Sequence, residues 1–236
     1  MAMTLDQLVE QLRKAYGPTL RSVLLYGSAV AGEHIAKRSD YNVLLVLDAV
    51  PLERLAAVGA VLRSWTEAGN SSPMTFTASE WKSSADVFPM EYSDILERHR
   101  VLYGEDVTEG INVARSDLRL EVEQQSLGKL LHLRRGAMAA GGDSQAQLEL
   151  LEASLSAIMV VFRGVSRLHG EVPAQDYLAL TTDIAMKSGF DAEPIMRVVR
   201  HVRGSEKLKK EAATAVLGGY MAAMEALVSY LDNYAA

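Results

Sequence analysis

In the stretch LYGSAVAGEHIAKRSDYNVLLVL, residues 25–47, a Gly-Ser step follows one apolar run and an aspartate opens another. If Gly27 and Ser28 lie where a strand turns into a short helix, the turn presents backbone N–H groups and a hydroxyl near a helix N-terminus, which favours phosphate oxygens. Gly27 has no Cβ and lets a triphosphate approach the backbone closely. Asp40 and Asn42 stand at i and i+2, so on a strand their side chains share one face. Two carboxylates placed so would hold a pair of Mg2+ ions bridging the triphosphate, one of them activating an attacking hydroxyl. Here the second position is a neutral amide. His34, between the two halves, is a lone histidine within reach of a phosphate, a position where structural or exposed histidines are the usual case.

Elements of two kinds must position these residues. Leu5, Leu8, Val9 and Leu12 carry the three-and-four spacing of a helical face over residues 4–16. The apolar runs 22–26 and 41–47 suit buried strands, Pro51 opens a helix to about residue 68, and Gly69-Asn-Ser-Ser-Pro73 breaks the chain before a third strand at 74–78. Helical turns at 79–85 and 90–99 and a last strand at 100–103 complete an alternating first half. After Gly110 only helical periodicity remains, over 112–139, 144–169, 173–187, 192–203 and 206–234. The element type changes at the polar, Gly-bounded stretch 104–111, so the expected domains are 1–108 and 109–236, the second an all-α helical bundle.

Composition narrows the chemistry. The chain has 236 residues, no cysteine and a formal net charge of −6. Thiolate chemistry, disulfides and zinc–sulfur sites are excluded, and the mild acidity argues against a generic nucleic-acid binder. The N-terminus has acids where a secretory signal would be basic, and the apolar stretch 212–230 is interrupted by Gly218, Gly219 and Glu225, so the expectation is a cytoplasmic chain without a membrane span, in which 206–234 is a core helix.

The order apolar strand, Gly27-Ser28, Gly32, then Ser39-Asp40-x-Asn42 leading into Val43–Leu47, resembles the signature of the DNA polymerase β-type nucleotidyltransferase superfamily. The small bacterial branch of kanamycin and other aminoglycoside nucleotidyltransferases and minimal nucleotidyltransferases is the part it most resembles. The motif covers residues 22–47, and the order of elements extends the likeness to about residue 104. The resemblance implies an α+β nucleotidyltransferase fold, a small mixed sheet with flanking helices, followed by an all-α helical bundle. It implies transfer of a nucleoside monophosphate from a nucleoside triphosphate, ATP in the first place, to a hydroxyl of a small-molecule or protein acceptor, with Mg2+ held by three carboxylates. Gly27 and Ser28 match the triphosphate-contacting pair, and Asp40 matches the first metal carboxylate and catalytic acid. Asn42 stands where the second belongs. The third is expected on the next strand, where Met74-Thr-Phe-Thr-Ala78 holds no acid, and position 31, often arginine, is Ala31. Glu80, Asp86 and Glu91 are the acids beyond that strand that would have to substitute. Mg2+ dehydrates reluctantly and is held by carboxylates with substrate phosphates, so losing two of three anions removes most of the charge that would hold a metal pair. The expectation is therefore a degenerate metal site, with a non-catalytic nucleotide-binding or regulatory module as the alternative. A homodimer stays open.

Three further groups carry weaker signals. Asp86-Val-Phe-Pro-Met-Glu91 reads either as acids at the open end of the sheet or as a packed loop in which Phe88 and Met90 are core and the acids cap the next helix. Arg163 and His169 resemble the ribonuclease motif of HEPN domains, in which the histidine acts as acid or base and the arginine stabilises phosphate charge; the bland alternative is a solvated helix end. The run Arg197, Arg200, His201, Arg203, Lys207, Lys209 and Lys210 is the one local basic concentration, suited to an anionic partner or to plain solvation.

Overall fold

The structure, a computed structural model, describes residues 3–30 and 41–234. The chain divides into two compact units, Met1–Ala114 and Arg115–Ala236. The division falls beyond the composition change at 108/109 because Val107, Ile111 and Val113 pack against the core of the first unit.

The first unit is built on helix α1 (Leu5–Tyr16), strands β1 (Leu20–Tyr26) and β2 (Asn42–Leu47), helices α2 (Leu52–Ala57) and α3 (Gly59–Glu67), strand β3 (Met74–Thr77), helices α4 (Ala78–Ser83) and α5 (Pro89–Glu97), and strand β4 (His99–Gly104). Thr4 starts α1 with a capping box: its hydroxyl accepts from the Gln7 N–H at 3.2 Å and the Gln7 side chain accepts from the Thr4 N–H at 2.9 Å. The single helix expected over 51–68 is two, because Val58 adopts φ −93°, ψ 0° and interrupts the ladder between them.

The sheet has the order β3-β2-β1-β4, with β1 antiparallel to β2 and β4, and β2 parallel to β3. Period-two alternation sends Val23, Leu25, Val43, Leu45 and Leu47 to one face, against Leu8, Leu12 and Tyr16 of α1 and Trp65 of α3. Leu24, Leu44 and Val46 go to the other, against Trp81 of α4 and Tyr92 and Ile95 of α5. With both faces covered, Val23–Leu25 of β1 and Val43–Leu47 of β2 are buried at every position, which is why these stretches read as apolar runs.

The pairing of β1 with β4 shifts register between Val23 and Leu24. Gly104, opposite Ser22, has φ +79°, and a Cβ there would lie 1.9 Å from the Arg21 carbonyl oxygen. The buried Ser22 hydroxyl donates to the Glu105 carbonyl at 2.6 Å just beyond it.

The second unit contains α6 (Arg115–Ala140), α7 (Ser144–Leu168), α8 (Tyr177–Ser188), α9 (Glu193–Arg203) and α10 (Ala213–Asp232). Asp143 caps α7 and Asp176 caps α8 through their carboxylates, and Asp176 moves the start of α8 past the expected residue 173. Helix α10 is long and apolar enough to cross a membrane by length and composition. Its Val216, Leu217, Tyr220, Ala223, Met224, Leu227 and Leu231 are buried, and it packs on α6, α7, α8 and α9, as a core helix does.

Two left-handed glycines separate backbone strain from steric overlap. Gly69, at φ +91°, has nothing within 4 Å of a Cβ, whereas Gly104 meets backbone. Gly69→Ala is expected to cost about 1–2 kcal/mol, and Gly104→Ala about 2 kcal/mol more, read as the difference in urea unfolding free energy between the two variants.

Candidate functional site

Strand β1 ends at Tyr26, and Gly27 turns the chain with φ +78° into a 3₁₀ turn, Gly27–Ala29. The Gly27 N–H donates to the Arg98 carbonyl at 3.3 Å, which pins the turn to the chain entering β4, and the Val30 N–H donates back to the Gly27 carbonyl at 3.1 Å. Asn42 is the first residue of β2 and pairs across the sheet with Tyr26. A Cβ on Gly27 would lie 3.1 Å from the Asn42 amide nitrogen. The structure thus brings Gly27 and Asn42 into direct proximity at one end of the sheet, with Ser28 in the turn beside them. Asp40 lies outside the described residues, as do Ala31, Gly32, His34 and Ser39.

Asn42 shares its sheet face with Leu44 and Val46 and so opens toward the α4–α5 layer. On the other side of β2, Tyr41 stacks on Trp65 with ring centroids 5.9 Å apart, and its N–H donates to Asn70 Oδ1 at 3.3 Å. These contacts fix the approach to β2 on the face opposite Asn42.

Of the three substitute acids, Glu80 is engaged elsewhere. Glu80 closes a capping box at the start of α4, accepting from the Thr77 N–H at 2.7 Å, while the Thr77 hydroxyl accepts from the Glu80 N–H at 3.2 Å. Hydrogen bonding from the Thr77 N–H, then from its side chain, holds the Glu80 carboxyl below the usual carboxylate range. Asp86 is exposed in a turn, and Glu91 lies in the first turn of α5. Met90 is buried, but Phe88 is 39% exposed and meets the Phe76 ring edge-on. Tyr92 stacks on Trp81 at 4.1 Å and donates to its carbonyl at 2.7 Å; burial pushes its hydroxyl up to about 12.

Among the described residues, no group of three or more His, Asp or Glu side chains could hold a metal ion. At this sheet end they offer the neutral Asn42, and β3 carries only Met, Thr, Phe and Thr. Mg2+ favours carboxylate oxygens in near-octahedral geometry, so these donors do not fit a two-metal site.

Sequence reasoning missed His99. It opens β4 and pairs with Tyr26, so Asn42, Tyr26 and His99 form one row across β2, β1 and β4. Its Nδ1 donates to the Ile95 carbonyl at 2.8 Å, and its Nε2 faces the Asp106 carboxylate at 3.2 Å. The Thr108 hydroxyl and N–H, and more weakly His99, hold Asp106 below its ordinary value. The available signal was an ionisable residue at the head of an apolar strand.

In the second unit Arg163 and His169 engage different partners. The Arg163 guanidinium lies 5.8 Å from the Tyr177 ring, which Arg203 also covers at 4.3 Å. His169 Nε2 is 2.7 Å from the Tyr230 hydroxyl, and its ring lies parallel to Tyr230 and edge-on to Tyr234, so it is half-buried rather than a solvated helix end. The basic run is partly neutralised as well. Arg200 bridges Glu193 and Glu206, and His201 accepts from the Leu208 N–H at Nδ1 and therefore donates from Nε2 to Glu152 at 2.8 Å.

The chain folds as a small four-stranded mixed sheet with flanking helices, followed in sequence by a helical unit. Among solved structures the chain is similar to the spectinomycin adenyltransferase AAD(9) from Enterococcus faecialis, crystallised with ATP and spectinomycin. The TM-score is 0.63 at 12% sequence identity, over 97% of this chain and 98% of that one. No protein-family model matches the chain, and no curated protein matches it by sequence.

The Gly27–Asn42 contact predicts coupling. Gly27→Ala destabilises through both φ and overlap; Asn42→Ala in that background relieves the overlap, so the double variant is expected to be more stable than the sum of the single ones by about 0.5–1 kcal/mol in a denaturation cycle.

His169 predicts a pH effect. Burial first, then the Lys187 charge, holds its imidazole below the ordinary 6.5. The unfolded chain takes up the proton first, so stability present above that value is lost as pH falls through it toward the folded value. The wild-type melting temperature should drop more steeply below about pH 6.5 than that of His169→Gln.

Proposed function

We propose that this protein grips a nucleoside triphosphate, ATP in the first place, at the Gly27–Ser28 turn, and that it is a nucleotidyltransferase whose transfer to a hydroxyl acceptor is weakened by Asn42. The observation that carries the reading is the left-handed Gly27 turn at the end of a central strand, within a fold similar over nearly its whole length to an adenyltransferase solved with ATP. In that arrangement Gly27 leaves the backbone open to phosphate oxygens, the Ser28 hydroxyl adds a donor, and Asp40 is the one carboxylate of the motif left to meet Mg2+ arriving with the nucleotide. The acceptor is a small molecule or a protein bearing a hydroxyl.

A second reading, a nucleotide-binding module that performs no transfer, is favoured by the Asn42 amide nitrogen beside Gly27. An amide there can donate to a phosphate oxygen that two facing carboxylates would repel, so nucleotide binding needs less metal than it would with an acid.

Thermal shift with ATP, GTP, CTP and UTP, with and without Mg2+, separates the two readings. Transferase function predicts stabilisation that grows with Mg2+ and requires Asp40, and Asn42→Asp should steepen the Mg2+ dependence and raise nucleotidyl transfer from labelled ATP at least about tenfold. Stabilisation indifferent to Mg2+, with no transfer by Asn42→Asp, favours the module. No stabilisation by any nucleotide sinks both.

A further inference from the structure

The carbonyl that receives the Gly27 N–H belongs to Arg98, and so to the same peptide unit as the backbone nitrogen of His99. This peptide lies where α5 ends and β4 begins, and the direction of its carbonyl depends on what holds the chain on either side. On the helix side the Arg98 N–H donates to the Asp94 carbonyl at 3.0 Å. On the strand side stands His99, whose backbone pairs with Tyr26, the residue before Gly27.

The His99 ring is engaged at both nitrogens. Nδ1 meets the Ile95 carbonyl in the last turn of α5 at 2.8 Å, and Nε2 meets Asp106 Oδ2 at 3.2 Å. Asp106 is itself oriented, because its Oδ1 accepts from the Thr108 hydroxyl at 2.6 Å and the Thr108 N–H at 3.0 Å. That leaves Oδ2 for His99. The Asp106 side chain is 51% exposed, and a pair of that exposure adds little stability. Nδ1 alone would cap α5. Three side chains in series, Thr108, Asp106 and His99, are more than a cap requires, and the series ends on the residue that follows the carbonyl under Gly27.

Gly27 is thus approached from both neighbouring strands. Asn42 of β2 meets it on one side, and the Arg98–His99 peptide holds it from the other. The Arg98 guanidinium turns to Glu97 at 2.9 Å, so His99 is the side chain that carries the hold outward to Asp106.

We propose that His99, oriented by Asp106 and Thr108, is a positioning residue for the Gly27 turn. By fixing the Arg98–His99 peptide it sets the direction in which the chain leaves β1, and with it the affinity of the turn for the phosphates of a nucleotide. The proposal rests on the reading of that turn as the nucleotide grip, and it adds a group that acts without touching the ligand.

Two readouts on the full chain separate the proposal from that reading. The first needs no ligand. His99→Phe keeps a ring and removes both donors, and Asp106→Ala removes the acceptor at an exposed position; each should speed amide exchange at Gly27 about tenfold while Leu24, in the middle of β1, keeps its protection. The second is ATP affinity by thermal shift. Both variants should bind ATP at least about fivefold more weakly, and His99→Gln, with a donor near the place of Nε2, should recover part of the loss. Melting temperatures that fall while Gly27 exchange and ATP affinity stay at wild-type values would make His99 a helix cap alone and overturn the proposal. ATP bound equally by wild type and both variants overturns it too, and leaves the nucleotide reading standing. Faster Gly27 exchange in a chain that binds no nucleotide sinks that reading and the proposal's claim on affinity, and leaves His99 as the hold on the turn.

Discussion

The first unit depends on β1 having no free side. It is hydrogen-bonded to β2 on one edge and β4 on the other, and Val23 and Leu25 are buried on one face while Leu24 is buried on the opposite face. A strand held in this way cannot shift along its own axis without moving its apolar residues to the wrong faces. The chain can adjust only where it meets the ends, and there the left-handed glycines Gly27 and Gly104 do so. At one end Gly104 lets β4 pass over the Arg21 carbonyl. At the other, Gly27 turns the backbone out of the strand into the Gly27–Ala29 turn. The rigidity of the strand is what makes the geometry of that turn definite.

The rest of the unit reinforces this position. Trp65 and Trp81 bury their rings on opposite faces of the sheet, yet each satisfies its indole N–H on a loop carbonyl: Ser71 at 2.9 Å and Val107 at 2.7 Å. Each tryptophan therefore joins a face of the core to a segment that leaves the sheet, and a buried donor with its partner resists being pulled apart.

Legibility in the sequence followed range. The helices and strands were readable because local periodicity reports which side is buried, and the turn at Gly27-Ser28 stood out less by itself, since Gly-Ser follows strands in many unrelated turns, than by its order with Gly32, Ser39-Asp40 and a second apolar run. The break at Val58 was not, since nothing in Pro51–Ala68 marks it except the Val58-Gly59 step. His99 was missed because its place beside Tyr26 and Asn42 arises from the pairing of β1 with β4, a contact between residues distant in sequence. Glu80 was legible as an acid but not as a cap, and Thr77-x-x-Glu80 was the capping-box signal for it. His169 looked solvated because Tyr230 and Tyr234 lie some sixty residues along the chain.

The capping box of Glu80 bears on where acids could stand at this end of the sheet. Drawing Glu80 toward the sheet would uncap α4, at about 1 kcal/mol. On β3, the positions that share a face with Asn42 are Met74 and Phe76, through their pairing with Leu44 and Val46. Phe76 is the hub of an aromatic cluster, 5.8 Å from Trp81, 6.2 Å from Phe88 and 6.3 Å from Tyr92, where a carboxylate would be desolvated without a partner. Met74, half-buried at the start of the strand, is the site on β3 where an acid costs least. Of the positions on this face, Asn42 and Met74 are therefore the two where a carboxylate costs least, the first because it already bears a polar side chain and the second because it lies at the edge of the buried layer.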